Sequence, residues 1–159
     1  MSEEKEIETI VQINSNQLFP VFLKLDHLRV LVVGGGNVGL EKLNAILHNS
    51  PAASIQLVAI NISQRIRELA AFHSNILLHE RAFAATDLDD VQVVIVAVND
   101  VQASSAICML AREKGKLVNV ADKPELCDFY LASIVQKGNL KIAISTNGKS
   151  PTIAKRLKE

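Results

Sequence analysis

The chain has no tryptophan, one tyrosine and five phenylalanines among 159 residues, so aromatic rings cannot be the main filling of its interior. It has only two cysteines, Cys108 and Cys127, and no C-x-x-C pair. That excludes a disulfide scaffold and suits a reducing compartment, so a cytoplasmic protein is expected. Neither charge is in excess, since 17 Lys and Arg balance 17 Asp and Glu. Proteins that grip the phosphates of nucleic acid normally carry a basic surplus, so no nucleic-acid partner is expected. A small anion held by a few local groups is compatible with this neutrality. No apolar run approaches the ~20 residues of a bilayer-spanning helix, and no membrane partner is expected. The opening Ser2-Glu3-Glu4-Lys5-Glu6 is acidic, unlike the basic start of a secretion signal. His27, His48, His73 and His79 form no compact ligand set, so no resident metal site is expected. G-x-S-x-G and Walker motifs are also missing.

What the chain does have is aliphatic sequence: hydrophobic residues make up 48%, mostly Val, Ile, Leu and Ala. Strands that are apolar on both faces read this way when helices cover both sides of a parallel sheet. Leu28–Val33 is such a run, and residues 38–48 follow it with helical spacing. Ser54–Ile60 predicts a second strand and Ser63–Phe72 a second helix with Ser63 as its N-cap. Asn75–His79 predicts a third strand and Val91–Val98 a buried central one. Asp100–Lys114 predicts a third helix closed by Gly115, and Leu117–Val120 a fifth strand. Alternation of this kind implies parallel pairing and a Rossmann-type α/β sheet.

The alternation stops after Val120. Phe129–Gln136 and Leu140–Ser145 flank Lys137-Gly138-Asn139, which predicts a β-hairpin. An isolated hairpin is marginal in water, so pairing with a second copy, a homodimer, is expected. Ser150-Pro151-Thr152 reads as the start of a short or truncated C-terminal helix. The expected organisation is an N-terminal arm over 1–17, a nucleotide-binding domain over 18–122 and a strand-rich dimerisation region over 123–159.

Gly34-Gly35-Gly36-Asn37-Val38-Gly39 satisfies G-x-G-x-x-G directly after a strand and at the opening of a helix. In that context Gly34 permits the tight turn, Gly36 lets the backbone approach a pyrophosphate, and Gly39 lets the helix pack closely. Exposed N–H groups at the helix start then favour phosphate. The acid that usually ends the second strand to hold the adenosine ribose is missing from Val58-Ala59-Ile60-Asn61-Ile62. Asn61 or nearby backbone can take a hydroxyl, while Arg65 stands close enough in sequence to meet a 2′-phosphate. NAD and NADP therefore both stay open from these residues.

Carboxyl ends of parallel strands line the ligand crevice of this fold. Asn99, after the fourth strand, is placed near the nicotinamide half, or else caps the next helix together with Asp100. Asp122, after the fifth strand, is placed on the same rim. A carboxylate there can accept a proton, hold a metal or meet a pyrrole N–H; it can equally be a plain turn former before Pro124. Ser145-Thr146-Asn147-Gly148-Lys149-Ser150 is a polar loop able to bind an acidic substrate, or an ordinary loop capping a helix. Cys108 is expected in the core, and Cys127 shows no activating base nearby in sequence.

Several segments, in this order, carry a family resemblance: Leu18-Phe19-Pro20-Val21-Phe22-Leu23, Arg29–Val38 with Glu41-Lys42, Asn119-Val120-Ala121-Asp122, Phe129–Ile134 and Ile144–Pro151. The chain resembles the precorrin-2 dehydrogenase/sirohydrochlorin ferrochelatase family, the N-terminal module of siroheme synthase, from about Leu18 to Leu157. The resemblance implies oxidation of the tetrapyrrole precorrin-2 with NAD, and in many members insertion of Fe2+ as a substrate. It puts the essential aspartate of both steps on Asp122. It puts cofactor contacts on Asn37 and Val38 and on Asn61 and Ile62, and the modifiable position of an S-[ST]-x-G-x-S-P loop on Thr146. It also implies dimers built through the appended strands, and a helical segment beyond the point where this chain stops. For a substrate rich in carboxylates, Ser145, Thr146, Lys149, Lys123 and helix N-termini are the candidate donors.

Two other readings compete. An NAD(H)-sensing regulatory module would need no carboxylate at position 122 but would normally keep the ribose-binding acid. A short-chain reductase is excluded, because Tyr130 is the only tyrosine and residue 134 is Ile, leaving no Tyr-x-x-x-Lys pair.

Overall fold

The computed structural model describes residues 15–149 and Arg156. The aliphatic runs form strands β1 (Arg29–Val33), β2 (Ser54–Ala59), β3 (Ile76–Glu80), β4 (Val93–Val96) and β5 (Leu117–Val120). Helices α1 (Asn37–Asn49), α2 (Gln64–Ala71) and α3 (Val101–Glu113) lie between them. All neighbouring strands pair in parallel, in the order β3-β2-β1-β4-β5. This is the expected Rossmann-type sheet. The chain builds outward from β1 through β2 to β3, then returns to the other side of β1 for β4 and β5. That reversal opens a crevice at the carboxyl ends of β1 and β4.

Side-chain alternation along β1 divides the core into two layers. Val30 and Val32 pack with Leu40, Leu43, Ile46, Ile55, Leu57 and Ile66, the apolar faces of α1, α2 and β2. Leu31 and Val33 pack with Val94, Val96, Ile107, Cys108, Val118 and Val120, which brings in α3. Covered on both sides, β1 and β4 carry eight buried apolar residues between them (Val30–Val33 and Val93–Val96). The expected caps are present. Ser63 Oγ accepts from Ile66 N at 3.4 Å, Asp100 Oδ1 accepts from Gln102 N and Ala103 N at 2.8 and 3.0 Å, and Gly115 adopts φ +69° after α3.

Some boundaries differ from expectation. β3 extends one residue further, through Glu80, because that residue continues the ladder opposite Ala59. β4 is shorter than the apolar run Val91–Val98, since only its centre pairs with both β1 and β5. Between β3 and β4, where the sequence offered no element, the segment after Arg81 forms a short 3-10 turn over Ala85–Leu88. The buried Asp87 organises it, accepting from both terminal nitrogens of Arg81 at 2.6 and 2.9 Å and from Ala84 N at 2.8 Å.

The chain forms two compact units, Leu23–Tyr130 and a second made from the residues before Leu23 together with those from Leu131 onward. In the second unit β6 (Ser133–Lys137) and β7 (Leu140–Ile144) form the expected antiparallel hairpin, turning through Gly138 at φ +57°. The first strand starts later than the run from Phe129. Phe129 instead packs on the core of the sheet unit, and its carbonyl accepts from Asn119 Nδ2 at 2.9 Å. The expected C-terminal helix start at Ser150-Pro151 and most of the expected arm over 1–17 lie outside the described residues. Among the described residues, no helix is long and apolar enough to cross a membrane.

Candidate active site

The glycine turn sits where β1 runs out, and its glycines differ in what forces them. Gly34 has φ +132°, and a Cβ there would lie 2.2 Å from the Ala97 carbonyl oxygen at the end of β4. A Cβ on Gly35 would lie 2.2 Å from the Asn61 carbonyl oxygen, and one on Gly39 would lie 2.3 Å from that of Gly34. Close backbone packing therefore explains these three. Gly39 serves the contact of α1 with the turn itself. Gly36 is different, because nothing lies within 4 Å of the place its Cβ would occupy.

Gly36 is also the N-cap of α1, and having no side chain it provides no cap bond; the first turn of α1 carries no acid. The amides of Asn37, Val38 and Gly39 have no acceptor within the helix, and the helix dipole adds partial positive charge there. Open space over Gly36, free amides and no competing carboxylate together fit the pyrophosphate of a dinucleotide. Val38 is half-buried at this first turn, and Asn37 is exposed.

The ladder fixes how far other groups stand from this turn. Ala59 pairs with Glu80, and the bonds Gly34 N to Val58 O, Ala97 N to Val33 O and Ala121 N to Val96 O extend the registers. Glu80, Ala59, Gly34, Ala97 and Ala121 thus form one row across all five strands. Neighbouring strands lie ~4.8 Å apart, so Glu80 is roughly 10 Å to one side of the glycine turn and Ala121 roughly 10 Å to the other. Asp122 follows Ala121 directly.

Asp122 is exposed, makes no hydrogen bond or ion pair among the described residues, and has φ +59°. A non-glycine residue in the left-handed region costs backbone energy, about 1 kcal/mol or more, that its surroundings must hold in place. Cys127 provides the hold. Its Sγ accepts from Val120 N at 3.2 Å and lies 3.2 Å from Val120 O and 3.3 Å from Lys123 O, so one thiol ties both ends of the turn that carries Asp122. Burial pushes the Cys127 thiol upward, which keeps the proton available for donation. The Cys127–Phe129 segment also covers the free edge of β5. Asp128 accepts from Val118 N at 3.0 Å through Oδ2 and from Arg112 Nε at 3.0 Å through Oδ1. Asn99 lies between the glycine turn and Asp122 in strand order. Asp100 alone caps α3, and Asn99, three residues beyond β4, is exposed with no hydrogen bond among the described residues.

At the other end of the row, Glu80 is a residue that sequence reasoning passed over. Its Oε1 accepts from Ile62 N at 3.1 Å and from Arg67 Nη2 at 2.5 Å. The Arg67 hydrogen bond, and after it the Ile62 N–H, hold its carboxyl below the usual carboxylate range. Asn61 is exposed and Ile62 buried in the loop whose backbone abuts Gly35, where Ser63 N donates to Gly35 O at 2.9 Å. The signal in the sequence was an acid directly closing the third strand, a place outside the usual second-strand position.

Ser145, Thr146 and Lys149 belong to the second unit. There Asn147 has φ +54°, Ser145 Oγ accepts from Asn147 N at 3.2 Å, and Asn16 Nδ2 donates to Ser145 O at 3.2 Å. Thr146 and Lys149 join Ser15, Asn16 and Asn147 around an open cavity of about 210 Å³.

A family model described as NAD(P)-binding matches residues 21–133, and a second, for the central part of sirohaem biosynthesis proteins, matches residues 137–159. A solved structure, SirC, precorrin-2 dehydrogenase, superposes with a TM-score of 0.72 at 30% identity, covering 89% of this chain and 68% of that one. The chain belongs to the precorrin-2 dehydrogenase family. Curated relatives are siroheme synthases. One from Pseudoalteromonas translucida is 41% identical over 143 residues, and one from Methylococcus capsulatus is 37% identical over 139 residues. The matched regions are 90% and 87% of this chain but 30% and 29% of those proteins, so the chain spans under a third of their length. In this member of the precorrin-2 dehydrogenase family, the row from Glu80 to Ala121 lies along the carboxyl edge of the sheet, level with the glycine turn.

Proposed function

We propose that the protein oxidises precorrin-2 to sirohydrochlorin with NAD+ in siroheme biosynthesis, using Asp122 as the proton acceptor. The observation that carries this reading is the unbonded Asp122 carboxylate, on the same carboxyl edge of the sheet as the open glycine turn. Dehydrogenation removes two hydrogens from the macrocycle. Bound NAD+ supplies the acceptor for the one that leaves as hydride. Asp122 takes the other as a proton onto a carboxylate oxygen. Gly36 and the amides of Asn37, Val38 and Gly39 hold the pyrophosphate, the Asn61-Ile62 loop meets the adenosine ribose, and Asn99 orients the nicotinamide carboxamide. The Ser145–Lys149 loop of the other unit carries hydroxyls and an ammonium suited to carboxylates of such a substrate. Fe2+ is a second substrate under the same reading, with Asp122 as the carboxylate that assists its insertion. We place the protein in the cytoplasm as a homodimer; its free cysteines, Cys108 and Cys127, suit a reducing compartment.

General-base removal typically costs 10²–10⁴-fold in rate. Asp122→Asn is therefore expected to lower kcat for precorrin-2 oxidation, followed by NADH absorbance, by at least about 100-fold. Its NADH affinity should stay within a factor of about three of wild type, since no contact to the glycine turn is lost. Near-normal turnover would remove Asp122 from the chemistry. Dinucleotide binding by wild type with no turnover of precorrin-2 would favour a regulatory module instead.

A further inference from the structure

Dinucleotide sheets usually take the adenosine ribose with an acid from the end of the second strand, and this chain has none there. The geometry points to Glu80, from the end of the third strand, as the substitute acceptor for the adenosine ribose hydroxyls, and so as the residue that selects NAD(H) over NADP(H). This rests on the reading of the crevice as a dinucleotide site.

Three observations carry it. Glu80 stands in the same lateral row as Gly34, on the side of the turn opposite Asp122, which is the side left for adenosine when the nicotinamide half lies toward Asp122. Its carboxylate reaches across to the loop after β2, where Ile62 N donates to it, so the acid is delivered to the place the second-strand residue would fill. Both of its partners, Ile62 N and Arg67, engage Oε1. The side chain is 44% exposed, so the carboxylate stays open to a hydroxyl from solvent.

The same arrangement works against a 2′-phosphate. An anionic phosphate placed there meets the Glu80 charge, and Arg67 is already committed to Glu80. Arg65 is exposed, makes no hydrogen bond or ion pair among the described residues, and is the cation close in sequence that could favour phosphate instead. Its neighbour in the chain, Ile66, is fully buried in the sheet core.

The test is a fluorescence titration of NADH and of NADPH into the full chain, excited in the near-ultraviolet band of the reduced nicotinamide, where no residue of the chain absorbs. Wild type is expected to bind NADH at least about 10-fold tighter than NADPH, the usual scale for a hydrogen bond to a charged acceptor. Glu80→Gln keeps an oxygen for Ile62 N and nearly the same volume, so the fold should persist. It is expected to weaken NADH about 10-fold while NADPH holds or improves, bringing the two within about threefold. Adding Arg67→Ala to Glu80→Gln should remove any gain in NADPH affinity, because the freed guanidinium is its source. A purely structural Glu80 would weaken both nucleotides equally, and that result overturns the inference. So does a wild-type preference for NADPH that Arg65→Ala abolishes. Wild type binding neither nucleotide overturns this inference and the proposed activity together. Selective NADH binding without precorrin-2 oxidation overturns only the activity, and an unchanged NADH preference in Glu80→Gln alongside normal wild-type turnover overturns only the role of Glu80.

Discussion

At the scale of single residues, the proposed role of Asp122 turns on how Cys127 holds the turn that carries it. Asp122 sits at φ +59°, a conformation an aspartate leaves readily unless the flanking backbone is fixed. The Cys127 thiol fixes it from both sides, at Val120 and at Lys123. Cys127→Ala leaves Val120 N without its acceptor and a small void beside it, a loss of about 1–3 kcal/mol. Because a displaced catalytic group loses rate steeply, kcat is expected to fall roughly 10-fold in a variant that is still folded. NADH affinity should be unchanged, since the glycine turn lies two strands away. Paired measurements of urea midpoint, kcat and NADH affinity check this. A drop in stability with full kcat would make the thiol a packing group only. Cys127→Ser, whose hydroxyl can also donate and accept, should recover part of the rate.

At the scale of elements, the glycine turn separates packing from binding in a way that substitution can read. Gly34→Ala sets a Cβ against the Ala97 carbonyl in a backbone conformation alanine rarely adopts, and is expected to prevent folding or lower Tm sharply. Gly36→Ala meets nothing and has φ −95°, so Tm should stay within a few degrees. Its methyl group fills the space over the α1 amides, and NADH affinity should fall at least about 10-fold. Equal effects of the two variants on Tm would contradict this division. These elements also show what the sequence could reveal. β1, the turn and α1 were legible because an aliphatic run, a glycine spacing and a helical period all agree within one short stretch. The caps at Ser63 and Asp100 were legible for the same local reason. The Arg81–Asp87 pair, the grip of Cys127 on the Asp122 turn and the approach of Glu80 to Ile62 were not. Each joins residues through the folded backbone, 6, 4–7 and 18 positions apart respectively, without any periodic signal to mark them. That Phe129 leaves the hairpin for the sheet core was not legible either, because an aromatic residue suits both places.

For the whole molecule, the second unit raises a question of stability that the first does not. The sheet unit has two buried layers of its own. Among the described residues the hairpin has no such interior: Val135, Leu140, Ile142 and Ile144 share one face by their register, and Leu140 and Ile142 are exposed. A two-stranded sheet is marginal in water without cover, and adjacent exposed apolar groups on a strand pair favour association. Phe19, Val21 and Phe22, in the same unit, are also exposed, which adds apolar surface to be covered. A stable pairing of two copies needs about 800 Å² from each, more than four strand residues supply, so both segments should contribute. The double variant Leu140→Lys, Ile142→Lys places like charges on that face, and sedimentation should then show a monomer where wild type sediments as a dimer. NADH binding should survive in the variant, because every residue proposed to hold the dinucleotide lies within Leu23–Tyr130. A wild-type chain that sediments as a monomer at micromolar concentration, with the hairpin protected from proteolysis, would mean that the cover comes from the chain itself and not from a second copy.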